Sequence, residues 1–411
     1  MIVEAQGAWL VDADGRRYLD GISSWWTCTL GHRHPRLVAA LAAQVARVDH
    51  VSAGGALHPA TAALAAELCA VAPAGLERVH FSDDGSTAVE VAVKIAFQYW
   101  QQNGRPARRR FLALSSAYHG DTLGAVSLAG AAPGGFFTVF APLLFDVARS
   151  PAPGEDDWDR VATAIEERLA QDADTIAGVV VEPLLQGAGG MTIYPPAILR
   201  RIRDAATRAD TFLIADEVFT GYGRTGTMWA CDQAGVVPDL LCTAKGFTAG
   251  MLPMAATLAT ARIYDGFRAA PGVAGGGGSS RALMHGHSFC GHPLGAAVAR
   301  EVLAIYRDER VVDGVAPRAA RIAAMLAQVA ALPGVARTRQ LGIVGAVDLG
   351  DGGYGGAMGP RFTDAALRHG LYLRPLGDTA YVCPPLNIPL ADLDTLCDGF
   401  VAAVADSLRS P

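Results

Sequence analysis

Short apolar runs rich in valine, isoleucine and phenylalanine alternate with longer alanine-rich segments along most of the chain. The short runs have the length and composition of buried strands, and the longer segments have the length of helices. Such alternation predicts an α/β fold with a mostly parallel central sheet flanked by helices. The predicted strands are 79–81, 111–114, 176–181, 211–215 and 240–243, and the predicted helices are 37–48, 61–71, 87–100 and 196–209.

The two ends of the chain show a different pattern, which predicts a smaller α+β domain. Residues 7–19 resemble a β-hairpin with its turn at Asp-Ala-Asp-Gly, residues 12–15. Near the other end, strands are predicted at 342–349, 371–374 and 380–383, followed by a closing helix at 390–408. We predict a large domain at 45–300 and a small domain formed by 1–44 and 301–411, with loops at 150–157, 271–280 and 350–356.

The composition excludes several classes of protein. Of the 411 residues, 51% are hydrophobic and 18% are charged, which is unlike a disordered chain. The formal net charge of −6 argues against a general affinity for nucleic acid. The seven cysteines lack Cys-x-x-Cys spacing, and no apolar run is long enough to cross a membrane. The amino terminus also lacks the pattern of a signal peptide, so we expect a cytoplasmic protein without metal, nucleic acid or membrane partners.

Two charged residues follow directly on predicted buried strands. Asp216 comes after the strand at 211–215, and Lys245 lies 29 residues further on, after the strand at 240–243. Ligands of open α/β sheets gather at the carboxyl ends of the strands. Each residue alone has an ordinary explanation, because an aspartate there can cap a helix and most lysines are solvated at the surface.

Together, Asp216 and Lys245 fit the two ends of pyridoxal phosphate. A desolvated lysine reacts with carbonyl groups, so Lys245 can hold the cofactor through its aldehyde. The Asp216 carboxylate can keep the pyridine nitrogen protonated, and the positive ring then takes up charge from the reacting carbon. Once a substrate amine has displaced Lys245, the freed amine can move the proton of that carbon. We therefore predict Lys245 and Asp216 as the catalytic residues.

Gly85 and Ser86 begin a predicted helix and are the expected phosphate site. The first backbone N–H groups of a helix have no partner within the helix and attract anions. The spacing from Thr87 to Glu90 is that of a capping box, which predicts that the helix starts here. On its own, this pattern more often marks ordinary helix capping.

Two further residues of interest follow the strand at 111–114. Tyr118 can stack on the face of a pyridine ring, and Asp121 can contact a substrate amine. His285 and His287 lie in a later loop without the carboxylate or cysteine spacing of a metal site. No metal is therefore expected at these histidines.

Three segments resemble the class III pyridoxal-phosphate aminotransferases of fold type I. They are Ala-Asp-Glu-Val-Phe-Thr-Gly-Tyr-Gly-Arg-Thr-Gly at 215–226, Thr-Ala-Lys-Gly at 243–246 and His-Gly-His-Ser-Phe-Cys-Gly-His-Pro at 285–293. Segments 20–26, 97–100, 117–122 and 186–191 resemble the branch of the family that transfers an amino group from S-adenosylmethionine to 8-amino-7-oxononanoate in biotin biosynthesis. The resemblance covers nearly the whole chain. It implies pyridoxal 5'-phosphate as cofactor, a ping-pong reaction and a homodimer with shared active sites.

The resemblance also assigns cofactor contacts. Lys245 matches the lysine that binds the cofactor, and Asp216 matches the aspartate at the ring nitrogen. The implied cofactor-binding residues are Gly85, Ser86, Tyr118, Asp216, Lys245, His287 and Ser288. His287 and Ser288 lie in a loop that reaches the other subunit's phosphate in the family. The family has a proline-threonine pair there, so this chain keeps the hydroxyl and loses rigidity.

Substrate contacts follow from the same resemblance. The implied residues are Trp25, Trp26, Tyr118, Asp121, Arg224, Lys245, Gly286 and Arg374. The planar guanidinium of Arg374 suits a carboxylate, which it can bind with two parallel hydrogen bonds. Adjacent side chains point in different directions, so one core face does not easily bury both tryptophans. Trp25, with Trp26 nearby, is expected to line a pocket for an alkyl chain and a cationic sulfonium. A packing corner is the alternative, more so for Trp26.

The sequence departs from the family at its amino terminus. The family carries an additional segment with a His-Pro-Tyr motif that covers the substrate, and this chain begins after that point. Either the start codon has been assigned too late, or the enzyme binds the amino donor less well. Two alternatives stay open: a class III ω-aminotransferase for another amine or amino acid, and a pyridoxal-phosphate-binding protein with impaired turnover. A nucleotide-binding Rossmann protein is disfavoured because no Gly-x-Gly-x-x-Gly follows the first strand of the sheet.

Overall fold

A seven-stranded sheet forms the centre of the computed structural model, which describes residues 1–130, 137–152, 157–268 and 281–409. The strand order is β4-β12-β11-β10-β7-β5-β6. Only β12 runs antiparallel to its neighbours β4 and β11, and the other adjacent pairs are parallel. The mostly parallel α/β sheet predicted from the sequence is therefore confirmed.

The described elements follow one another along the chain. The strands are β1 (Ile2–Gln6), β2 (Trp9–Asp12), β3 (Arg17–Asp20), β4 (Leu76–Ser82), β5 (Arg110–Ala113), β6 (Val147–Arg149), β7 (Ile176–Val181), β8 (Leu185–Gln186), β9 (Thr192–Ile193), β10 (Phe212–Asp216), β11 (Leu240–Thr243), β12 (Ala255–Thr260), β13 (Arg337–Leu341), β14 (Val344–Asp348), β15 (Leu371–Tyr372) and β16 (Thr379–Val382). The helical segments are α1 (Ser23–Trp26), α2 (Pro35–Val45), α3 (Pro59–Val71), α4 (Gly85–Gln102), α5 (Leu123–Ala129), α6 (Trp158–Asp172), α7 (Pro196–Arg208), α8 (Ala230–Ala234), α9 (Ala261–Asp265), α10 (Pro293–Asp308), α11 (Val315–Ala330), α12 (Met358–Arg368) and α13 (Leu390–Arg409). Short 3₁₀ turns occupy Thr138–Leu143, Lys245–Thr248 and Gly353–Gly355.

Helices cover both faces of the central sheet. Val179 and Val181 of β7 pack in one cluster with α6 and α7, whereas Val180 packs in another cluster with α4. Successive side chains of a strand point to opposite faces, so β7 is apolar throughout because both of its faces are buried. The carboxyl ends of the strands remain as the edge at which side chains can form a site.

The predicted elements correspond to observed ones, with displaced ends. The five strands expected in the large domain are β4, β5, β7, β10 and β11, and the four helices are α2, α3, α4 and α7. The sequence did not predict β6 or β12. The β12 sequence Ala-Ala-Thr-Leu-Ala-Thr is alanine-rich, and its strand conformation depends on pairing with β4 and β11.

A second sheet joins the two ends of the chain. Its order is β1-β2-β3-β15, and Leu19 of β3 pairs in parallel with Leu371 of β15. The predicted hairpin is present, and Asp12 stabilises its turn by accepting hydrogen bonds from the backbone of Asp14 and Arg16. Strands β13, β14 and β16 form a third sheet, and α13 is the predicted closing helix. The exact limits of the two domains stay a prediction.

Two predictions concern features outside these elements. The predicted loop 271–280 lies outside the described residues, as do residues 153–156 of the predicted loop 150–157. Among the described helices, none combines the length and apolar character that crossing a bilayer requires.

Candidate active site

The carboxyl ends of β10 and β11 meet in a cavity of about 610 Å³. Asp216 is the last residue of β10, and it pairs with Cys242 of the neighbouring strand β11. Lys245 follows two residues after β11, in a 3₁₀ turn. The predicted site residues that line this cavity are Trp26, Gly85, Ser86, Tyr118, Asp121, Asp216 and Lys245. One cavity thus brings together side chains from widely separated parts of the sequence.

Lys245 places an amine deep in the cavity. Its Nζ lies 5.2 Å from the centroid of the Trp26 ring, and it forms no ion pair with any residue in the described ranges. Burial lowers the pKa of Lys245, although the charges of Asp216 and Glu182 oppose this effect. The residue also has a φ of 48°, a conformation that costs on the order of 1–3 kcal/mol and is common at functional sites. The arrangement favours a nucleophilic, neutral amine.

Asp216 is oriented by a buried histidine. The Asp216 Oδ2 lies 2.7 Å from Nδ1 of His119, and Oδ1 accepts a hydrogen bond from the backbone N–H of Val218. Burial lowers the pKa of His119, but the hydrogen bond and charge of Asp216, together with Glu182, raise it above the ordinary value of histidine. No role of His119 was predicted from the sequence, in which its only signal is its position next to Tyr118.

Glu182 holds the loop that carries Tyr118. Its carboxylate accepts hydrogen bonds from the backbone N–H groups of Tyr118 (3.0 Å) and Gly187 (2.9 Å). Burial raises the pKa of Glu182 to about 7. Glu182 was not predicted from the sequence either, since its hydrogen bond to Tyr118 joins residues 64 positions apart.

Glu217 has a structural role in spite of its position next to Asp216. Its carboxylate accepts hydrogen bonds from the backbone of Ala230 and Cys231, at the start of α8, and from the hydroxyl of Thr220. Burial raises the pKa of Glu217 to about 7, while these donors act in the opposite direction. Of these two adjacent carboxylates, Asp216 therefore faces the cavity and Glu217 stabilises the fold.

Replacing Glu217 by glutamine is expected to destabilise the protein. The amide offers one acceptor oxygen where the carboxylate offers two, so a buried backbone donor at the start of α8 loses its partner. We expect Glu217→Gln to lower the free energy of unfolding by about 1–3 kcal/mol in urea titrations. The matched control is Glu77→Gln at an exposed surface pair, with an expected change below about 0.5 kcal/mol. Equal stabilities of the two variants would contradict the assignment.

The start of α4 lines the same cavity as Lys245 and can bind an anion there. Gly85 is the first residue of this helix, and a side chain there would place its Cβ 2.6 Å from Cγ1 of Val218. Ser86 presents its hydroxyl in the same turn, where it accepts a hydrogen bond from the backbone of Thr122. Free backbone N–H groups at the start of a long helix attract phosphate.

The capping box of α4 lies at Asp84 to Thr87, three residues before the predicted position at Thr87 to Glu90. Asp84 is the N-cap and accepts a hydrogen bond from the backbone N–H of Thr87, whose hydroxyl accepts one from the Asp84 backbone. Glu90 instead accepts a hydrogen bond from the backbone of Gly124. The prediction was wrong because Asp84 takes the cap position that the spacing assigned to Thr87. The Asp84 carboxylate is thereby engaged at the cap.

The two tryptophans lie in a left-handed turn. The φ angles of Ser23, Ser24, Trp25 and Trp26 are all positive, between 44° and 74°. Such a turn costs about 1–2 kcal/mol per residue, so tertiary contacts have to stabilise it. The side chain of Ser24 donates to Asp20, and that of Ser23 donates to a backbone carbonyl near the other chain end.

The turn sends the two indoles in different directions. Trp26 lines the cavity, is 3% exposed and donates from Nε1 to the hydroxyl of Tyr381. Trp25 is 51% exposed, and the guanidinium of Arg374 stacks 3.7 Å from its ring centroid. Trp26, for which a packing role was the stronger alternative, is therefore the indole in the cavity wall. Its partner Tyr381 was not predicted from the sequence.

Other predicted residues lie outside the cavity of this chain. The buried Arg224 donates to the backbone carbonyls of Pro384 and Trp26, so it supports the cavity wall from behind. Gly286, His287 and Ser288 follow one another in an exposed loop, where His287 Nδ1 lies 2.9 Å from the Asp83 carboxylate. Their predicted contacts with cofactor and substrate stay predictions.

The residues around the cavity fit pyridoxal phosphate. An amine without an ionic partner, a buried carboxylate and a helix start without a side chain surround one space. Within the described ranges, no group of three histidine, cysteine, aspartate or glutamate residues could hold a metal ion. These protein groups suit an organic anion that carries an aldehyde and a basic ring nitrogen.

Comparison with known proteins decides the family. The model of the class III aminotransferases matches residues 1–404. The chain belongs to the class III aminotransferases. Members of this family depend on pyridoxal phosphate, and the resemblance stated from the sequence motifs is confirmed.

Named relatives of this class III aminotransferase cover nearly its whole length. The adenosylmethionine-8-amino-7-oxononanoate aminotransferase of Nitratidesulfovibrio vulgaris is 43% identical, over 96% of this chain and 75% of the relative. The crystal structure of the enzyme with that name from Methanocaldococcus jannaschii matches with a TM-score of 0.91 and 32% identity, over 98% of this chain and 92% of the other. An amine transaminase from an uncultivated Pseudomonas species matches with a TM-score of 0.89 and 33% identity, over 98% and 94%. The fold type I architecture is confirmed by these structures.

Proposed function

We propose that this class III aminotransferase transfers the amino group of S-adenosylmethionine to 8-amino-7-oxononanoate, giving 7,8-diaminononanoate in biotin biosynthesis. The observation that carries the chemistry is the position of Lys245, whose amine faces the cavity beside Asp216 on the neighbouring strand. The names and full-length similarity of the relatives support the choice of substrates.

The chain's own residues divide the task of holding pyridoxal phosphate. Gly85 and Ser86 would bind the phosphate at the start of α4, and Asp216 would bind the ring nitrogen. Tyr118 and Val218, both at the cavity, would contact the ring. When bound, the cofactor supplies an aldehyde for exchange of amino groups and a ring that takes up electron density from the substrate carbon.

Lys245 would act as the base and acid of the reaction. Its lowered pKa increases the neutral fraction that can accept a proton from the substrate carbon, and the resulting ammonium returns the proton. The hydrogen bond from His119 fixes the direction of the Asp216 carboxylate. Trp26 and the segment from Met251 to Met254 line the cavity and exclude water around the amine.

Trp25 and Arg374 do not line the cavity, but their stacked side chains suit two dissimilar substrates. An exposed indole can attract the cationic sulfonium of the donor through its π face, and it can also pack on an alkyl chain. Arg374, stacked on Trp25, offers a guanidinium for the carboxylate of the keto acid. Gly286 and Ser288 lie outside the cavity of their own chain, which supports a homodimer in which they complete the partner's site. We place the enzyme in the cytoplasm, where its seven free cysteines stay reduced.

A half-reaction with the purified protein tests the proposed substrates. The protein is loaded with pyridoxal phosphate, and S-adenosylmethionine or an ordinary amino acid is added while the visible absorbance of the bound cofactor is followed. We expect S-adenosylmethionine to remove this absorbance and 8-amino-7-oxononanoate to restore it. Conversion by simple amines alone would instead assign the chain to the amine transaminases, as its likeness to the Pseudomonas enzyme allows.

Loss of Arg374 is expected to affect one substrate only. Arg374→Ala should raise the KM for 8-amino-7-oxononanoate about 10–100-fold, since a charged hydrogen bond contributes about 1.5–3 kcal/mol. The donor half-reaction should keep its rate. The matched control is Arg17→Ala, because Arg17 stacks on Trp9 at 4.4 Å in the sheet of the chain ends. Equal KM values for Arg374→Ala and the parent protein would exclude the carboxylate contact.

A further inference from the structure

Cys28, His32 and Asp20 lie in a row behind the wall of the cavity. The Sγ of Cys28 is 3.7 Å from Nδ1 of His32, and Nε2 of His32 is 2.8 Å from Oδ2 of Asp20. Asp20 is fully buried, and the side chain of His32 is 14% exposed. None of the three residues takes part in the proposed transfer of an amino group.

The hydrogen bonds fix the roles of the two imidazole nitrogens. The Asp20 carboxylate already accepts from the hydroxyl of Ser24, so it acts as the acceptor toward Nε2–H of His32. The raised pKa of His32 keeps the imidazole protonated at neutral pH, so Nδ1–H faces the sulfur of Cys28 as a donor. A thiol beside an imidazolium that a buried carboxylate orients has the arrangement of an activated cysteine.

We propose that Cys28 is a nucleophilic thiol, activated by His32 and oriented through Asp20, and that it is a site of covalent modification by soft electrophiles. In the reaction with a haloacetamide, the thiol of Cys28 gives its proton to the buffer, and the thiolate accepts a hydrogen bond from Nδ1–H of His32. The thiolate then attacks the carbon that carries the halogen, a sulfur–carbon bond forms, and the halide leaves with the electrons of the broken bond. The proton and the halide both end in solution, so charge and atoms balance.

The electrostatics of His32 support this assignment. Burial lowers the pKa of His32, but the hydrogen bonds and charges of Asp20 and Cys28 raise it to about 10. An imidazole that binds its proton this firmly stabilises a neighbouring thiolate. Cys69 and Cys290 have no hydrogen bond to a histidine among the described residues, and burial raises the pKa of both thiols.

The thiol lies at the boundary of the cavity. Cys28 Sγ is 3.7 Å from Oγ1 of Thr27, and a Cβ added at Gly250 would lie 2.7 Å from the same sulfur. Both Thr27 and Gly250 line the cavity. Cys28 itself is 8% exposed, so reagents have to approach from this boundary, and an adduct on the sulfur has to displace part of the wall.

Competitive labelling of the cysteines tests the proposal. The purified full-length protein is treated with substoichiometric iodoacetamide, and peptide mass spectrometry follows each cysteine with time. Cys69 serves as an internal reference because it is more exposed and distant in sequence. We expect Cys28 to react about tenfold faster than Cys69, and His32→Gln to remove this advantage without changing the rate of Cys69. A merely structural histidine would leave the ratio of the two rates unchanged, which would overturn the proposal.

A second variant gives an independent measurement if His32→Gln fails to fold. Asp20→Asn keeps the shape of the side chain but removes the charge that orients Nε2–H of His32, so it should lower the labelling rate of Cys28 and leave that of Cys69 unchanged. Unchanged labelling of Cys28 in Asp20→Asn would show that His32 does not activate Cys28, whatever the enzymatic substrates are.

Discussion

Lys245→Ala is expected to lower kcat by about 10⁴-fold. The variant loses both the amine that would bind the cofactor aldehyde and the group that would move the substrate proton. The Lys245 amine has no ion pair in the described part of the structure, so its removal leaves no carboxylate without a partner. We therefore expect a folded protein without visible cofactor absorbance, measured by steady-state kinetics and spectroscopy.

The composition provides the control for this prediction. Lys94 and Lys245 are the only lysines in the sequence. Lys94 lies on the exposed side of α4 and donates to the backbone of Met284, away from the cavity. Borohydride reduction of the loaded protein should attach the cofactor to Lys245 and not to Lys94, and Lys94→Ala should keep the parent kcat. Attachment at Lys94, or normal turnover by Lys245→Ala, would refute the assignment.

The fold was predictable where the local sequence and the tertiary environment favour the same structure. The run at β7 is apolar throughout, and a parallel strand buried on both faces requires this composition. At β12, alanine and threonine carry no clear local preference, and pairing with two neighbours decides the conformation. Propensity alone therefore finds the centre of the sheet and misses the strand between β4 and β11.

The site follows the same division between local and distant interactions. Asp216 and Lys245 were predictable because a charge directly after a buried strand is visible in the sequence. His119 was not, since its contact with Asp216 joins residues 97 positions apart. The directions of Trp25 and Trp26 were also hidden, because their left-handed turn contains no glycine that would signal it.

Asp216→Asn is expected to lower kcat by about 10²–10⁴-fold while the cofactor remains attached to Lys245. The amide has the shape of the carboxylate but lacks its charge, so a protonated ring nitrogen loses its stabilising partner. The expected signature is a loss in kcat that no increase in substrate concentration restores. Asp146→Asn is the matched control, because Asp146 forms an exposed surface pair with Arg110 far from this chemistry.

The stability of Asp216→Asn should depend on pH with a definite sign. The pKa of His119 is raised in the folded protein, so its pairing with Asp216 stabilises the fold fully below the unfolded pKa of histidine, about 6.5. This contribution is lost as the pH rises through the raised pKa. Urea titrations should therefore show a larger destabilisation at about pH 6 than at about pH 9. A destabilisation that is constant over this range, together with parent turnover, would mean that Asp216 serves neither the ring nitrogen nor His119.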